Sequence, residues 1–192
     1  MNIYLARHGQ TTGDVEDRYG GDYDDHLTDV GREQAAKLAE KLANKGIQKL
    51  YTSPLIRAQE TAGIVAASLD ITPEVLPEFK ERNSYGILSG MIKADAIEKY
   101  PDEVALLNDP HNSVTGAEDY VSFQRRIQQG LMSLSQENIG TMALITHGGP
   151  IHLIFRDILK LGEIDIADCA IVHLRSIGAD VSLIDTDGIS YK

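Results

Sequence analysis

The chain has 192 residues, of which 42% are hydrophobic and 24% are charged, a balance that allows one domain with a buried core. Its net charge of −11 comes with scattered Lys and Arg residues and no basic run, which argues against a nucleic-acid partner. No stretch reaches the roughly 18 to 20 apolar residues of a membrane helix, so we expect no membrane partner.

The first half of the chain alternates strand and helix patterns. A short apolar run predicts a strand at 2–7, and the Gly-, Asp- and Thr-rich segment 9–27 is typical of a loop. Thr28 is placed to cap a helix over about 29–45, and Gly46 is placed to end it.

The pattern then repeats. A second strand is predicted at 47–51, and Ser53 and Pro54 are predicted as the N-cap and first residue of the next helix. A third strand is predicted at 71–76, where a proline favours the edge of a sheet.

The second half contains a segment rich in Gly and Pro, at about 78–116, which we expect to form a lid with one helix near 92–100. The later predicted elements are a helix, a strand, an apolar helix and a hairpin around Gly178, at 118–137, 141–146, 151–159, 170–177 and 181–185. We therefore predict a single α/β domain over 1–192, with a mostly parallel central sheet and helices on both faces.

Two histidines occupy the same local setting. His8 and His147 each follow an apolar strand and precede a glycine. Because sites form at the carboxyl ends of parallel strands, the two side chains are expected to face each other across one crevice. The glycines let the backbone approach a ligand closely.

This setting suits phosphoryl transfer. A neutral imidazole can attack phosphorus and form a covalent intermediate, and positive groups must surround the phosphoryl oxygens. Arg7 adjoins His8, and Arg57 lies near the start of a helix that follows a strand, from where a guanidinium can grip phosphate through two bonds. A carboxylic acid is expected to protonate the leaving oxygen.

The strand-end histidines also allow a structural or a metal-binding interpretation. A single histidine at a strand end is usually structural, and histidine is also a common metal ligand. The sequence contains no HExxH, no paired cysteines and no Asp-rich loop at ligand spacing. We therefore expect no metal and no cofactor.

Four segments together resemble the histidine phosphatase, or phosphoglycerate mutase-like, superfamily. They are RHGQT at 7–11, LTDVGREQA at 27–35, SPLIRAQET at 53–61 and ITHGGP at 145–150. They occur in the family's order and span most of the chain. The resemblance implies that His8 is the phosphorylated nucleophile and that Arg7, Arg57 and His147 form the phosphate pocket. It also suggests contacts from Gln10, Thr11 and Gly148.

The resemblance extends to the middle segment. The family's proton donor is a Glu shortly before a Gly, which points to Glu81, with Glu78 as the rival. Arg82, Tyr85 and Lys93 resemble residues that hold the substrate in cofactor-dependent phosphoglycerate mutases.

One position departs from the family's pattern. Asp14 stands where the family often has Asn, and a carboxylate there would repel phosphate. Its side chain is expected either to point away or to bind a substrate cation.

We expect a phosphomonoester hydrolase that acts on small phosphorylated metabolites through a phosphohistidine. The alternatives are a phosphoglycerate mutase, a silent phospho-ligand binding protein and a metal-dependent hydrolase. Hydrolysis is favoured because 108–115 lacks the paired arginines associated with mutases and only 187–192 follow the last predicted strand. The N-terminus lacks the regions of a secretory signal and Cys169 is the only cysteine, so a cytoplasmic location is expected. Substrate identity and oligomeric state stay open.

Overall fold

The computed structural model describes residues 1–109, 113–177 and 180–192. Its strands are β1 (Asn2–Arg7), β2 (Lys49–Thr52), β3 (Pro73–Val75), β4 (Thr141–Thr146), β5 (Ile164–Ile177) and β6 (Asp180–Tyr191). Its α-helices are α1 (Thr12–Val15), α2 (Asp29–Leu42), α3 (Ile56–Leu69), α4 (Lys93–Lys99), α5 (Pro101–Leu106), α6 (Tyr120–Ser135) and α7 (Gly148–Leu153). Short 3₁₀ turns lie at Pro77–Phe79 and Gly86–Leu88, and a π-helical turn at Ile154–Ile158 continues α7.

The six strands form one sheet in the order β3-β2-β4-β1-β5-β6. The four strands β1 to β4 are parallel, and β5 and β6 are antiparallel to their neighbours, which confirms the predicted α/β class. Arg7, the last residue of β1, lies opposite Thr146, the last residue of β4. The next residue of each chain segment is a histidine, so the register alone brings His8 and His147 side by side at the carboxyl edge of the sheet.

Helices cover both faces of the sheet, as predicted. In β1, Ile3 and Leu5 pack into a core that includes residues of α6 and α7. Tyr4 and Ala6 point the other way, into a core with α2 and α3. This alternation is the period-2 pattern of a strand buried on both sides.

The starts of two helices test the predicted caps. Thr28 caps α2 as predicted, since its hydroxyl accepts a hydrogen bond from Gly31 N at 3.0 Å. The prediction that Ser53 caps the next helix is wrong, because α3 begins at Ile56 with Leu55 as its N-cap. The Ser53 hydroxyl instead forms a hydrogen bond with His147.

Other boundaries also differ from the predictions. Part of the predicted loop 9–27 is the short helix α1, and the predicted helix 151–159 begins earlier, at Gly148. The final hairpin is longer than predicted, because β5 and β6 together cover 164–177 and 180–191. Acidic residues and a bulge between Ile166 and Ile171 interrupt the apolar alternation there. The predicted turn residue Gly178 lies outside the described residues.

The segment between β3 and α6 carries its own small cluster of buried apolar side chains. Leu88, Ala96 and Val114 pack there with Tyr19 from the loop after β1. β3 lies at the edge of the sheet, as its proline predicted. Within the described ranges, no helix is long and apolar enough to span a bilayer.

Candidate active site

The two strand-end histidines are neighbours. The rings of His8 and His147 have their centroids 5.0 Å apart and their planes inclined by 59°. His147 is fully buried, and His8 keeps 6% of its surface exposed. The two His-Gly strand ends therefore lie side by side.

The partners of His8 define its protonation. Nδ1 lies 2.8 Å from the carbonyl oxygen of Gly9, which can only accept, so Nδ1 carries the proton. Nε2 is then an acceptor, and it receives a hydrogen bond from Nε of Arg57 at 3.2 Å. Burial, followed by the charges of Arg57 and Arg7, holds the pKa of His8 well below its usual value. His8 thus presents a neutral ring with a lone pair on Nε2, the form that a nucleophile requires.

Arg57 is held by a loop that the sequence did not single out. Its Nη1 donates to the carbonyl of Tyr23 at 2.6 Å and to Oδ1 of Asp25 at 2.9 Å, and its Nη2 donates to the carbonyl of Gly21 at 2.9 Å. Arg57 and Asp25 are both buried, with about 5% of each side chain exposed. Asp25 also accepts a bond from Gly13 N. This buried ion pair orients the guanidinium beside His8.

Arg7 reaches the same cavity from the end of β1. Its Nη1 donates to the carbonyl of Ile166 at 2.7 Å, and its Nη2 forms an ion pair with Asp168 at 3.2 Å. Both partners lie at the bulge of β5. The bulge therefore supplies the groups that fix Arg7 in the cavity wall.

The structure separates the two candidate acids. Glu81 lines the cavity, whereas Glu78 is absent from its lining. Oε1 of Glu81 accepts a hydrogen bond from Arg82 N at 2.8 Å, and Oε2 accepts one from Gly149 N at 3.0 Å. A Cβ on Gly149 would overlap Oε1 of Glu81. The His-Gly-Gly segment thus fixes the carboxyl group as well as supplying His147.

His147 has one paired and one unpaired ring nitrogen. Its Nε2 lies 2.6 Å from Oγ of Ser53, and Nδ1 is buried with no hydrogen-bond partner in the part of the chain that the structure describes. Burial, together with the charge of Arg57, keeps the pKa of His147 well below its usual value. When the serine hydroxyl donates to Nε2, the neutral ring carries its proton on Nδ1, and that donor is unused among the described residues.

A cavity of about 400 Å³ is lined by Arg7, His8, Arg57 and Glu81, whereas the fully buried His147 is absent from its lining. Basic side chains dominate its charged lining, which consists of Arg7, Arg18, Arg57, Arg82 and Lys93 against Asp14, Asp25 and Glu81. His8, Thr11, Tyr85 and Gly148 also line it, as the predicted roles require. Arg18 and His152 are further lining residues that the sequence did not single out.

The predicted substrate-binding residues differ in their surroundings. Tyr85 packs against Tyr19 with ring centroids 4.9 Å apart, and burial raises its pKa. Arg82 is buried, and its Nε donates to the carbonyl of Glu118 at 3.0 Å. Lys93 is 45% exposed and forms an ion pair with Asp17 at 2.5 Å, so it lines the cavity from its open side.

Gln10 does not line the cavity. Its side-chain oxygen accepts a hydrogen bond from the Thr28 hydroxyl at 2.8 Å, and its backbone N–H donates to Oε1 of Gln34 at 2.8 Å. Gln10 therefore joins the loop after β1 to α2, and its side chain faces Thr28 instead of the cavity.

Asp14 is both a cap and a cavity residue. Its Oδ2 accepts hydrogen bonds from the backbone N and the hydroxyl of Thr11, each at 2.9 Å, which completes a capping box for α1. The carboxylate still lines the cavity. The helix cap thus explains why an acidic residue lies there.

Two remaining features concern metals and thiols. In the described ranges, no group of three or more His, Cys, Asp or Glu residues is placed to hold a metal ion. Cys169 is buried, and burial raises its pKa to about 12, so its thiol is unreactive.

Comparison with known proteins gives the family. The sequence model of the histidine phosphatase superfamily (branch 1) matches residues 3–183. A metal-independent phosphoserine phosphatase of Arabidopsis thaliana is 31% identical over 183 residues, covering 90% of this chain and 76% of that protein. A probable phosphoglycerate mutase of Yersinia pestis is 29% identical over 168 residues, covering 84% and 76%.

Solved structures share the fold. A putative alpha-ribazole-5′-P phosphatase from Escherichia coli superposes with a TM-score of 0.85 at 22% identity, covering 96% of this chain and 94% of that one. A mycobacterial glucosyl-3-phosphoglycerate phosphatase superposes with a TM-score of 0.82 at 24% identity, covering 95% and 96%. With its four motifs, its paired strand-end histidines and this match, the chain belongs to the histidine phosphatase superfamily, branch 1.

Proposed function

We propose that this chain hydrolyses small phosphomonoesters through a phosphohistidine on His8. The observation that carries the proposal is the bond between Arg57 Nε and His8 Nε2 at 3.2 Å, on the wall of a cavity with mainly basic side chains. A buried lone pair next to a fixed guanidinium is a nucleophile with an anion-binding group already beside it.

In the first step, the phosphoryl group of the substrate enters between His8 and Arg57. The guanidinium exchanges its bond to Nε2 for a bond to a phosphoryl oxygen, and Nε2 attacks phosphorus. The bond between phosphorus and the ester oxygen breaks, and protonated Glu81 gives its proton to that oxygen, so an alcohol leaves. The resulting imidazolium-like phosphohistidine keeps the Nδ1 proton bonded to Gly9.

In the second step, water attacks the phosphohistidine. Glu81, now a carboxylate, accepts a proton from the water as the new bond to phosphorus forms. The bond between phosphorus and Nε2 breaks, and inorganic phosphate leaves with His8 again neutral. Arg7, Arg57 and the Nδ1 donor of His147 stabilise the phosphoryl oxygens in both steps.

The phosphoryl acceptor separates this proposal from the mutase alternative. A mutase must shield the phosphohistidine from water, whereas Lys93 is 45% exposed while it lines the cavity, so water has access. The relatives do not decide between the two reactions, because the Arabidopsis protein is named a phosphatase and the Yersinia protein a probable mutase. The predicted lack of paired arginines at 108–115 also favours hydrolysis, although part of that segment lies outside the described residues.

We propose that the substrate is a small phosphorylated metabolite, because the cavity of about 400 Å³ is small and its basic lining suits an anion. A single domain with a lid at about 78–116 and a cytoplasmic location belong to the same proposal. The roles of Arg82, Tyr85, Lys93, Thr11 and Gly148 as substrate contacts do as well.

A panel assay tests the reaction. Purified protein is mixed, with and without EDTA, with sugar phosphates, phosphoserine, phosphoglycerates and 4-nitrophenyl phosphate, and inorganic phosphate is measured. We expect release from several of them and slow interconversion of 2- and 3-phosphoglycerate, even with 2,3-bisphosphoglycerate. Efficient interconversion with negligible phosphate release would establish the mutase instead, and loss of activity in EDTA would establish a metal-dependent hydrolase.

A further inference from the structure

Helix α6 reaches the segment that carries Glu81 through one side chain. Nη1 of Arg126 donates to the carbonyl oxygens of Glu78 at 2.7 Å and Lys80 at 2.6 Å, and Nη2 donates to the carbonyl of Glu81 at 3.2 Å. One guanidinium therefore binds three carbonyls within four residues.

Glu118 fixes that guanidinium from the other side. Its carboxylate accepts from Nε of Arg126 at 2.7 Å and from Nη2 at 2.8 Å, the paired geometry that holds a guanidinium most firmly. The backbone of Glu118 also donates to the carbonyl of Asn83 at 2.8 Å and accepts from Nε of Arg82 at 3.0 Å. The pair thus bonds to the chain on both sides of the acid.

Close packing reinforces these bonds. A Cβ on Gly130 of α6 would lie 2.7 Å from the Phe79 ring and 2.9 Å from Cβ of Glu78, so the helix touches the segment closely. The carbonyl of Phe79 accepts from the Thr146 hydroxyl at 2.9 Å. The backbone before Glu81 is therefore held between α6 and the end of β4.

We propose that Arg126 and Glu118 are positioning residues that set the orientation of the Glu81 carboxyl group. The inference rests on the proposed function, in which Glu81 protonates the leaving oxygen. Neither residue lines the catalytic cavity, so both act through the backbone of 78–82. Removing the guanidinium leaves three carbonyls without this donor and frees the acid to move relative to the phosphoryl group.

The test uses the ratio of two rates. We compare kcat/KM on the alkyl phosphate that the wild type hydrolyses fastest with kcat/KM on 4-nitrophenyl phosphate, whose leaving group needs little protonation. This quantity reports only the steps up to formation of the phosphohistidine, whereas kcat also contains its hydrolysis, which is common to both esters. Arg126→Met should lower kcat/KM on the alkyl ester on the order of 100-fold, since a displacement of about 1 Å can have this effect. The nitrophenyl ester should lose only a few-fold. The ratio does not depend on how much of the variant is folded.

The adjacent residue provides the matched control. Arg125 lies next to Arg126 on α6 but is exposed, so Arg125→Met should leave the ratio of the two rates unchanged. Glu118→Gln keeps the shape and removes the charge, and it should change the ratio in the same direction as Arg126→Met by a smaller factor.

A double-variant cycle decides whether Arg126 acts through Glu81. Once Glu81→Gln has removed the acid, adding Arg126→Met should lower kcat/KM on the alkyl ester by less than threefold further, well short of its effect alone. Equal losses on the two esters, or fully additive losses in the cycle, would overturn the inference. A wild type that releases no phosphate from either ester would instead refute the proposed function, so the two failures are distinguishable.

Discussion

Arg57 donates its Nε–H to Nε2 of His8 across 3.2 Å. The guanidinium that should bind the phosphoryl oxygens is therefore bonded to the attacking nitrogen before a substrate enters. The guanidinium makes its other bonds to the loop before α2, where Asp25 is the only charged partner among its described hydrogen bonds. The position of Arg57 therefore depends on a buried carboxylate outside the four motifs.

Asp25→Ala should damage both stability and activity. Removing one partner of a buried ion pair leaves an unpaired charge, which typically lowers the free energy of unfolding by about 3 to 5 kcal/mol. We expect kcat/KM to fall as well, because Arg57 loses its orientation. Urea unfolding and steady-state kinetics measure both quantities. Asp29→Ala, at a side chain that is 99% exposed, is the control, and an Asp25 variant equally stable to it would contradict the account.

Stability should decrease in acid because of the two buried histidines. Burial lowers the pKa of His8 and of His147 in the folded protein, so the unfolded chain binds more protons below about pH 6.5. The contribution of the two neutral histidines to the free energy of unfolding is complete above that pH. It is lost as the pH falls through their lowered pKa values in the folded protein. The free energy of unfolding then falls by up to about 1.4 kcal/mol per pH unit for each histidine.

Urea unfolding between pH 7.5 and 5 tests this dependence. The free energy of unfolding of His147→Gln should depend less steeply on pH than that of the wild type. A slope unchanged by His147→Gln would contradict the expected effect.

Gly149→Ala should displace the acid. Its new Cβ would overlap Oε1 of Glu81, whereas a Cβ on Gly148 would meet no atom within 4 Å. We expect a loss of kcat/KM for Gly149→Ala that is larger with alkyl than with nitrophenyl phosphates, since only an alkyl leaving group needs the proton. Gly148→Ala should alter the ratio of these two rates much less. Indistinguishable ratios in the two variants would argue against Glu81 as the donor.

Asp14→Asn should strengthen substrate binding. The carboxylate lines the cavity while it caps α1, and an amide keeps an oxygen for the cap but removes the negative charge. The gain is at most about 1 kcal/mol for a solvated pair at 4 Å, so KM should fall by no more than roughly fivefold. Raised salt should reduce the difference, and an unchanged KM at low salt would show that the charge does not act on the substrate.

The sequence predicted the framework of the site because local patterns encode it. Apolar runs ending at His8 and His147 identified two strands, and parallel pairing placed both ends at one edge. Arg57 was found in the same way, near the start of a helix after a strand. These residues need only correct secondary structure and a sheet to come together.

The remaining site residues depend on tertiary contacts that leave no periodic pattern. Asp25 and Arg18 lie in a loop whose course is fixed by bonds to α3 and to the segment near Gly90. Gln10 adjoins the nucleophile in sequence, yet its side chain turns to Thr28. Ser53 is a residue type that commonly caps helices, but its hydroxyl forms a hydrogen bond with the buried His147.

The most direct measurement traps the intermediate. Wild type is mixed briefly with ³²P-labelled substrate and quenched in alkali, where phosphohistidine survives, and the labelled peptide is identified by mass spectrometry. We expect an acid-labile phosphate on His8 in the wild type and none in His8→Ala, while His26→Ala is labelled as the wild type is. Label that persists in His8→Ala, or that maps to another residue, would contradict the account.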